Sequence, residues 1–265
     1  QKIKTSLGLD RIDLCISGGG PLSVADAEFF LGIGVRVVEG FGLSECSPVT
    51  NVNLPHWIKP GTVGPAYVDT IEKISKEGEL LIKGPQVMQG YYRNEEATRE
   101  AFTSDGFLKT CDIAEIDADG FLRIIGRSKD IIITAGGKNI APQNIESELK
   151  NSPYINQVCI IGDRRKYLAA LIVPAFENLE AWAKEQGIPY SFHQDLITDT
   201  KVLALFHQEL ERYNKKVAQA SRVMRFTLLN TEWSQETDEL TPTQKIKRQV
   251  INEKYREVIE KLYNE

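Results

Sequence analysis

Two glycine-rich segments near the start of the chain carry residue types that bind polar and anionic ligands. The first, residues 17–22, reads S-G-G-G-P-L. Adjacent glycines let a ligand approach the backbone, and the amides there can bind an anionic group. A plain turn between a strand and a helix explains the same residues, and for this segment taken alone that interpretation is favoured.

The second segment, residues 39–45, reads E-G-F-G-L-S-E and adds an aromatic ring, a hydroxyl and two acids. Phe41, between two glycines, can stack on a flat base while the backbone holds the edge of that base. Ser44 can contact a phosphate, and Glu45 offers the kind of oxygen ligand that Mg²⁺ prefers. The alternative for this segment is a turn with an exposed acid.

Two later segments combine basic residues with a carboxylate. In K-T-C-D, residues 109–112, the carboxylate of Asp112 suits the two hydroxyls of a ribose, which are both donors. An Asp in a loop usually only forms a turn. The segment G-R-S-K-D at 126–130 is followed by A-G-G-K-N at 135–139. Its G-G-K triplet lacks the spacing of a phosphate-binding P-loop, so it indicates a hairpin turn.

Basic residues dominate a fifth segment, residues 241–248, which reads T-P-T-Q-K-I-K-R. We predict that these residues open a helix, where positive charge opposes the helix dipole. Their side chains therefore either face solvent, which is the commoner case, or reach an anionic ligand.

Two kinds of sheet are predicted to position the earlier segments. An apolar run at 12–17, a helix capped by Ser23 and Asp26, and an apolar run at 35–38 predict a parallel strand–helix–strand unit. The glycine segments then fall where its strands end, which is where ligands gather in such sheets. From about residue 60, short strands alternate with Asp-Gly turns, which predicts antiparallel structure.

After Arg127 the pattern changes to a smaller set of helices and strands. Pro142 suits the first turn of a helix that carries Ile145 and Leu149 inward. Further elements are predicted as strands at 158–161 and 168–173, a helix from about 176 with a Glu180–Lys184 pair, and helices along 202–217 and 251–262. We therefore predict an α/β and α+β fold with two domains, residues 1–126 and 127–265.

The bulk composition narrows the classes of function. The 265 residues are 42% hydrophobic with a net charge of −5, so they fit an ordinary globular protein without a basic field for nucleic acid. No apolar run is long enough to cross a bilayer. Four cysteines and three histidines lack metal-ligand spacing, which favours reduced thiols and a cytoplasmic location. Because the chain begins with Gln1, we expect an excised or processed fragment.

In this order and spacing, the five segments resemble the signature motifs of the AMP-forming acyl-CoA synthetases, within the adenylate-forming superfamily. Residues 78–92 match as well, and residues 163–174 and 240–243 are similar to the long-chain fatty acid branch in particular. The resemblance implies the truncated end of a large adenylation domain, made of a parallel α/β unit and an antiparallel β subdomain. A small, mobile α+β carboxyl-terminal domain is then expected to follow.

The resemblance also implies a reaction. Such a ligase converts a long-chain fatty acid, ATP and coenzyme A to acyl-CoA, AMP and pyrophosphate through an acyl-adenylate, with Mg²⁺. Two alternatives stay open: a related enzyme for a shorter or aryl acid, and a non-catalytic module that retains the fold. The family's phosphate-gripping loop and most of its acyl tunnel are absent from these residues. We therefore expect no ATP–pyrophosphate exchange by the fragment alone, and any peripheral membrane contact would belong to the missing half.

Each matching residue takes an implied role. Lys245 matches the lysine that contacts the reacting carboxylate and the α-phosphate, and Glu45 matches the Mg²⁺ ligand. Lys129 matches the hinge about which the small domain swings between half-reactions, carrying Lys245 away and bringing the loop of Gly136 and Gly137 toward the pantetheine tunnel. The residues implied to contact the nucleotide or the acyl carbonyl are Gly18, Gly19, Gly20, Pro21, Glu39, Gly40, Phe41, Gly42, Ser44, Asp112, Ile124 and Arg127.

Two positions depart from the family pattern. Phe41 stands where tyrosine is common, which keeps a stacking surface and removes a hydroxyl contact. Cys111 stands where glycine is usual, so we expect the turn before Asp112 to differ.

Overall fold

The computed structural model describes residues 2–264. The chain divides into two compact units, Gln1–Lys129 and Asp130–Glu265, which we describe one at a time. Compactness by itself does not test a domain assignment, so the boundary after residue 126 stays a prediction.

The first unit opens with the predicted parallel strand–helix–strand arrangement. Ser23 caps the helix by accepting a hydrogen bond from the backbone N–H of Asp26, at 3.4 Å. The two strands pair in parallel, with Ser17 opposite Glu39, which confirms the α/β prediction. The elements are α1 (Lys2–Ser6), β1 (Leu14–Ser17), α2 (Val24–Gly32) and β2 (Arg36–Gly42).

The strand β2 extends further than its apolar run predicts. It continues through Gly42 because β3 (Val49–Val52) pairs with it in antiparallel fashion, from Gly40 opposite Val52 to Gly42 opposite Val49. The expected strand end at residues 39–42 is therefore wrong. These residues are extended, and the chain bends after them in a 3₁₀ turn over Ser44–Cys46.

The rest of the first unit is the predicted antiparallel sheet. Its strands lie in the order β4 (Ile71–Ile74), β5 (Glu79–Lys83), β6 (Leu108–Ile116) and β7 (Leu122–Arg127). A short helix that the sequence did not predict, α3 (Glu95–Ala101), lies between β5 and β6. The sheet buries one cluster of apolar side chains, which includes Leu80, Ile82, Leu108 and Leu122.

A three-stranded sheet forms the centre of the second unit. In it β10 (Ile155–Ile161) pairs antiparallel with β11 (Leu168–Pro174), and β11 pairs parallel with β12 (Val223–Leu228). Every residue of β11 is buried, which is typical of a central strand covered on both faces. The remaining elements are the hairpin strands β8 (Ile132–Ile133) and β9 (Asn139–Ile140), then α4 (Pro142–Leu149), α5 (Phe176–Glu185), α6 (His193–Thr198), α7 (Thr200–Asn214), α8 (Arg248–Lys254) and α9 (Arg256–Asn264).

The helices of the second unit follow the prediction in part. Pro142 occupies the first turn of α4. The expected Glu180–Lys184 pair does not form among residues 2–264, because Glu180 Oε1 lies 3.0 Å from His193 Nε2 instead. The predicted helix at 251–262 is two helices that meet at Tyr255, and α7 ends before residue 217. Across residues 2–264, no helix combines the length and apolar composition needed to cross a membrane.

Candidate functional site

The two glycine segments lie against each other in the first unit. The backbone N–H of Leu22 donates to Glu39 Oε1 at 3.0 Å. A Cβ atom built on Gly18 would lie 3.5 Å from the carbonyl oxygen of Gly40. The parallel pairing of β1 with β2 therefore brings both segments to the same end of the strands. The exposed residues of the first segment are Gly18, Gly19, Gly20 and Pro21.

Glu39 is buried, and its carboxylate holds the first glycine segment in place. Only 8% of the residue is exposed. Burial raises the pKa of Glu39, while the hydrogen bond from Leu22 acts in the opposite direction. The side chain is thus an internal support for the loop, a contact that the sequence did not predict.

Gly42 is required by the backbone itself. A Cβ atom there would lie 1.7 Å from the carbonyl oxygen of Pro48, so the pairing of β2 with β3 excludes any side chain. The ring of Phe41 is half-buried and packs against the cluster around Cys46. The close approach of Pro48 explains the glycine at position 42 without a ligand. A Cβ atom on Gly40 would lie 3.2 Å from the carbonyl oxygen of Asn51, a much less severe contact that still requires the backbone to shift slightly.

Glu45 is fixed by two hydrogen bonds to the segment that precedes α3. Its carbonyl oxygen accepts from the backbone N–H of Met88 at 2.7 Å. Its carboxylate accepts from the Tyr91 hydroxyl at 2.9 Å, and this hydrogen bond raises the pKa of Tyr91. Tyr91 was not among the predicted site residues, although it lies in the matching stretch at 78–92. The sequence signal was present, but nothing in it paired Tyr91 with a residue 46 positions away.

Asp112 and Arg127 are cross-strand neighbours on β6 and β7. Arg127 Nε lies 3.4 Å from Asp112 Oδ1, and the Asp112 side chain is buried whereas that of Arg127 is largely exposed. The hydroxyl of Thr110 accepts from the Asp112 backbone N–H at 3.1 Å and donates to Leu80 O at 2.8 Å. The two residues predicted to bind a ribose are therefore adjacent and held by the sheet.

The residue before Asp112 has an unusual backbone. Cys111 is exposed, with φ +58°, a left-handed conformation that glycine adopts far more readily than other residues. The pairing register of β5 with β6 shifts at this point, between Glu79 and Leu81. Cys111 thus occupies the left-handed position of a bulge.

A cavity of about 220 Å³ collects several of these residues. Its lining includes Glu45, Tyr91, Cys111, Arg127 and Lys129, so segments far apart in sequence converge here. Lys109 lines the cavity too, and one carboxylate beside three cations can accept both a metal ion and an anionic group. Ile124 and Ser44 are not in this lining; Ile124 packs against the apolar cluster of the first unit instead.

The one acidic residue in the lining of this cavity, Glu45, fits Mg²⁺ bound together with a substrate. Residues 2–264 contain no group of three His, Cys, Asp or Glu side chains that could hold a metal by themselves. Mg²⁺ commonly uses one or two protein carboxylates and completes its shell with phosphate oxygens and water. Glu45, oriented by Tyr91, matches that requirement.

Lys245 lies in the second unit on a tight loop just before α8. The Thr241 hydroxyl accepts from the Lys245 backbone N–H at 3.0 Å, and Lys245 O accepts from the Thr241 N–H at 2.8 Å. Gln244, with φ +60°, closes the turn. The side chain of Lys245 is exposed, and within residues 2–264 no carboxylate lies at salt-bridge distance from it. The expectation that this lysine opens a helix is wrong, because α8 begins at Arg248.

Gly136 and Gly137 form the turn of the β8–β9 hairpin, as predicted. The Gly137 N–H donates to Thr134 O at 2.8 Å, and Gly137 has φ +74°. A Cβ atom on Gly137 would meet nothing within 4 Å, so the tip of the hairpin is open. The turn is also tied to the following loop, since Ala135 N–H donates to Arg165 O at 3.0 Å.

A parallel α/β unit with glycine segments at its strand ends, an antiparallel sheet carrying Asp112 and Arg127, and a small α+β unit define an adenylate-forming architecture. The family model described as "AMP-binding enzyme" matches residues 2–92, and that of the "AMP-binding enzyme C-terminal domain" matches residues 129–265. The chain belongs to the AMP-binding enzyme family.

Relatives support the same placement. The chain is 40% identical, over its whole length, to the long-chain-fatty-acid–CoA ligase FadD15 of Mycobacterium bovis, and 32% identical to the long-chain-fatty-acid–CoA ligase ACSBG2 of Gallus gallus. It spans only 44% and 38% of those proteins. These matches confirm the predicted resemblance to the carboxyl-terminal portion of the AMP-forming acyl-CoA synthetases.

A solved structure has the same fold. The adenylation and carrier didomain of a carboxylic acid reductase from Segniliparus rugosus, determined in complex with AMP, superposes with a TM-score of 0.78 at 24% identity. The match covers 99% of this chain and 36% of that one. At this identity the likeness concerns the fold alone, and it confirms the predicted fold class.

Proposed function

We propose that this chain is the carboxyl-terminal part of a ligase that joins a long-chain fatty acid to coenzyme A through an acyl-adenylate. The observation that carries the proposal is the convergence of Glu45, Arg127 and Lys129 on one cavity, with Asp112 paired to Arg127 beside it. These residues belong to three separate motifs of the sequence, with Arg127 and Lys129 in the same one. The long-chain acyl specificity of the ligases to which the chain is similar supports the choice of acid.

The first unit would bind the nucleotide. Asp112 is proposed to accept hydrogen bonds from the ribose hydroxyls, and Arg127 to reach the same sugar. Phe41 is proposed to stack on adenine, with Glu39, Gly40, Gly42 and the loop at 18–21 around it, Ile124 near the base and Ser44 at a phosphate. Glu45 would hold Mg²⁺, which when bound neutralises phosphate charge during attack at the α-phosphate.

Lys245 would act in the first half-reaction. A carboxylate oxygen of the fatty acid attacks the α-phosphorus, the bond to the β-phosphate oxygen breaks, and pyrophosphate leaves. The exposed ammonium of Lys245 would offset the negative charge that develops in this step. The thiolate of coenzyme A then attacks the acyl carbon and AMP leaves, a step in which we propose that Gly136 and Gly137 border the pantetheine.

We further propose that Lys129 is the hinge between half-reactions and that the two domains are residues 1–126 and 127–265. The division of the chain into compact units immediately after Lys129 supports the hinge, and it falls three residues after the proposed domain boundary. A substitution of Lys129 by Pro would fix φ near −65° at this point. It should slow thioester formation more than adenylation, and equal slowing of both would contradict the hinge. Contact with a membrane surface stays a prediction.

The test of the reaction uses the complete ligase with a panel of acids. Lys245→Ala should reduce ATP–pyrophosphate exchange by about 10²–10³-fold, the usual effect of removing a charge-stabilising group. Lys247→Ala is the matched control, because Lys247 lies two residues away and is paired with Asp238. Equal activity of the two variants would contradict the role of Lys245. Preference for aryl or short acids would support the related-enzyme alternative.

The test of the nucleotide site measures the KM for ATP. Asp112→Asn should raise it about 10–100-fold, since a hydrogen bond to a charged group contributes about 1.5–3 kcal/mol. Asp105→Asn is the control, because Asp105 lies in an exposed turn and bonds Lys73. Absence of activity in every variant and in the parent enzyme, with nucleotide still bound, would support a non-catalytic module.

A further inference from the structure

The second unit contains a buried ion pair that the proposed reaction does not use. Arg248 Nη2 bonds Glu146 Oε2, and the two side chains are only 15% and 8% exposed. Glu146 lies on α4, and Arg248 is the first residue of α8, three positions after Lys245. The pair therefore joins two helices at the base of the loop that carries Lys245.

Both members of the pair also bind the same residue of the central sheet. Glu146 Oε1 accepts from the Ile160 N–H at 2.7 Å, and Arg248 Nη1 donates to Ile160 O at 3.3 Å. The same Nη1 atom lies 3.6 Å from Cys159 Sγ. The guanidinium is thus fixed in position and orientation by bonds from two elements, β10 and α4.

A stabilising role alone explains this arrangement poorly. Desolvation offsets most of the attraction within a buried ion pair, so apolar side chains of similar volume usually serve stability as well. An arginine in the first turn of a helix also opposes the helix dipole. What the pair does provide is orientation, because a planar guanidinium whose Nη1 and Nη2 are both hydrogen-bonded permits one placement of the chain around it.

Hydrogen bonds within the loop connect the position of Arg248 to that of Lys245. Leu240 and Ile246 form a bridge at its base, and the Lys247 N–H donates to Glu239 O at 2.8 Å. With the Thr241–Lys245 bonds, these contacts leave the loop little internal freedom. Its orientation is then set where the chain enters α8, which is at Arg248.

We propose that Glu146 and Arg248 are positioning residues for Lys245. They orient the Lys245 ammonium for adenylation and are not needed for thioester formation. This inference rests on the proposed function. Neither residue touches substrate, and both act through the loop. Glu146→Gln keeps the shape of the side chain and its bond to Ile160 but removes the charge. Arg248→Lys keeps the charge but cannot make the simultaneous hydrogen bonds to Glu146 and Ile160.

Anchoring is tested first on this chain by amide hydrogen exchange. In Glu146→Gln and Arg248→Lys, the amides of Lys245 and Lys247 should exchange at least about tenfold faster, because their hydrogen bonds depend on a fixed loop. Glu209→Gln is the matched control, since Glu209 is a buried acid paired with Arg212 on α7. Unchanged exchange at 240–248 in both test variants would overturn the proposal.

Positioning is then tested on the complete ligase by separating the half-reactions. Glu146→Gln should lower the rate of ATP–pyrophosphate exchange by about 10–100-fold, as a misplacement of about 1 Å does. Thioester formation from synthetic acyl-adenylate should stay within about twofold. Equal losses in both steps would mean a structural role and overturn the inference, as would no loss in either.

A parallel measurement separates this inference from the proposed function. If Lys245→Ala leaves adenylation unchanged, the proposed function fails. If Lys245→Ala abolishes adenylation while Glu146→Gln and Arg248→Lys do not alter it, only the positioning inference fails. Arg248→Lys serves as the second variant should Glu146→Gln not fold.

Discussion

Replacement of Cys111 by glycine should stabilise the first unit, although it removes a side chain. Cys111 has φ +58° at a bulge of β6. Two hydrogen bonds hold its backbone there: its N–H donates to the side-chain Oε1 of Glu79 at 2.8 Å, and its carbonyl oxygen accepts from Ser128 N–H at 2.8 Å. The surrounding sheet, and not the cysteine, therefore dictates this conformation.

The magnitude follows from two opposing effects. A left-handed backbone costs an ordinary residue about 1–2 kcal/mol, and glycine escapes this. Glycine loses about 0.5–1 kcal/mol through its greater freedom in the unfolded chain. Because the thiol is exposed, its removal forfeits little buried area. The net expectation for Cys111→Gly is about 0.5–1 kcal/mol of stabilisation, or about 2–4 °C in Tm for a unit of this size.

The assay is urea or thermal unfolding of the chain, followed at the transition of the first unit. Cys111→Ala is the control, because alanine removes the thiol and keeps the strain, so it should match the parent within about 0.5 kcal/mol. The reasoning would be refuted if the glycine variant were no more stable than the alanine variant. That result would mean that the left-handed backbone at this bulge carries no strain.

Three further predictions concern the residues around the site. Glu39→Gln should stabilise the first unit at neutral pH. Burial raises the pKa of Glu39, so the parent protein loses stability as pH rises from about 4.3 through that raised pKa. The unfolding curves of the two proteins should therefore converge at lower pH. Gly42→Ala should destabilise the first unit by about 3 kcal/mol or more in urea unfolding, because its Cβ atom would overlap Pro48 O. Gly20→Ala is the control and should be tolerated, because a Cβ atom there would meet nothing within 4 Å. Tyr91→Phe should raise the KM for Mg²⁺-ATP of the complete ligase about fivefold, the effect of one hydrogen bond of about 1 kcal/mol. An unchanged KM would mean that Tyr91 does not orient Glu45 for Mg²⁺ binding.

Local sequence patterns predicted those elements whose structure is decided by neighbouring residues. The cap at Ser23, the proline that begins α4 and the all-buried strand β11 each follow from neighbouring residues. The strand β2 was predicted too short because its last residues are held by β3, and the glycines there suggest a turn when read alone. Pairing with a later strand overrides local propensity, and no window of sequence contains that information.

Contacts between distant residues decided the rest of the site. Arg248 was expected to face solvent or a ligand, yet its partner Glu146 lies 102 positions away, so the pair could not be read from either segment. The hydrogen bond between Glu45 and Tyr91 could not be predicted either, because the two residues stand in separate motifs. Such pairs share no periodicity, and they depend on how helices and loops from distant parts of the chain pack together. The motifs predicted which residues form the site, and the fold supplied the contacts that orient them.

The charged residues at the candidate sites differ systematically in how they are held. Asp112 is buried within β6 and Glu39 within β2, and Glu45 is hydrogen-bonded by Tyr91, so the acids are oriented before any ligand arrives. Lys245 is the opposite case, exposed on a hydrogen-bonded loop without a carboxylate at salt-bridge distance among residues 2–264. An acid that reads hydroxyls or a metal gains from fixed geometry, because orienting it later would weaken binding. A lysine that must meet charge only during reaction gains from having no internal partner, since any such partner would compete with the developing anion.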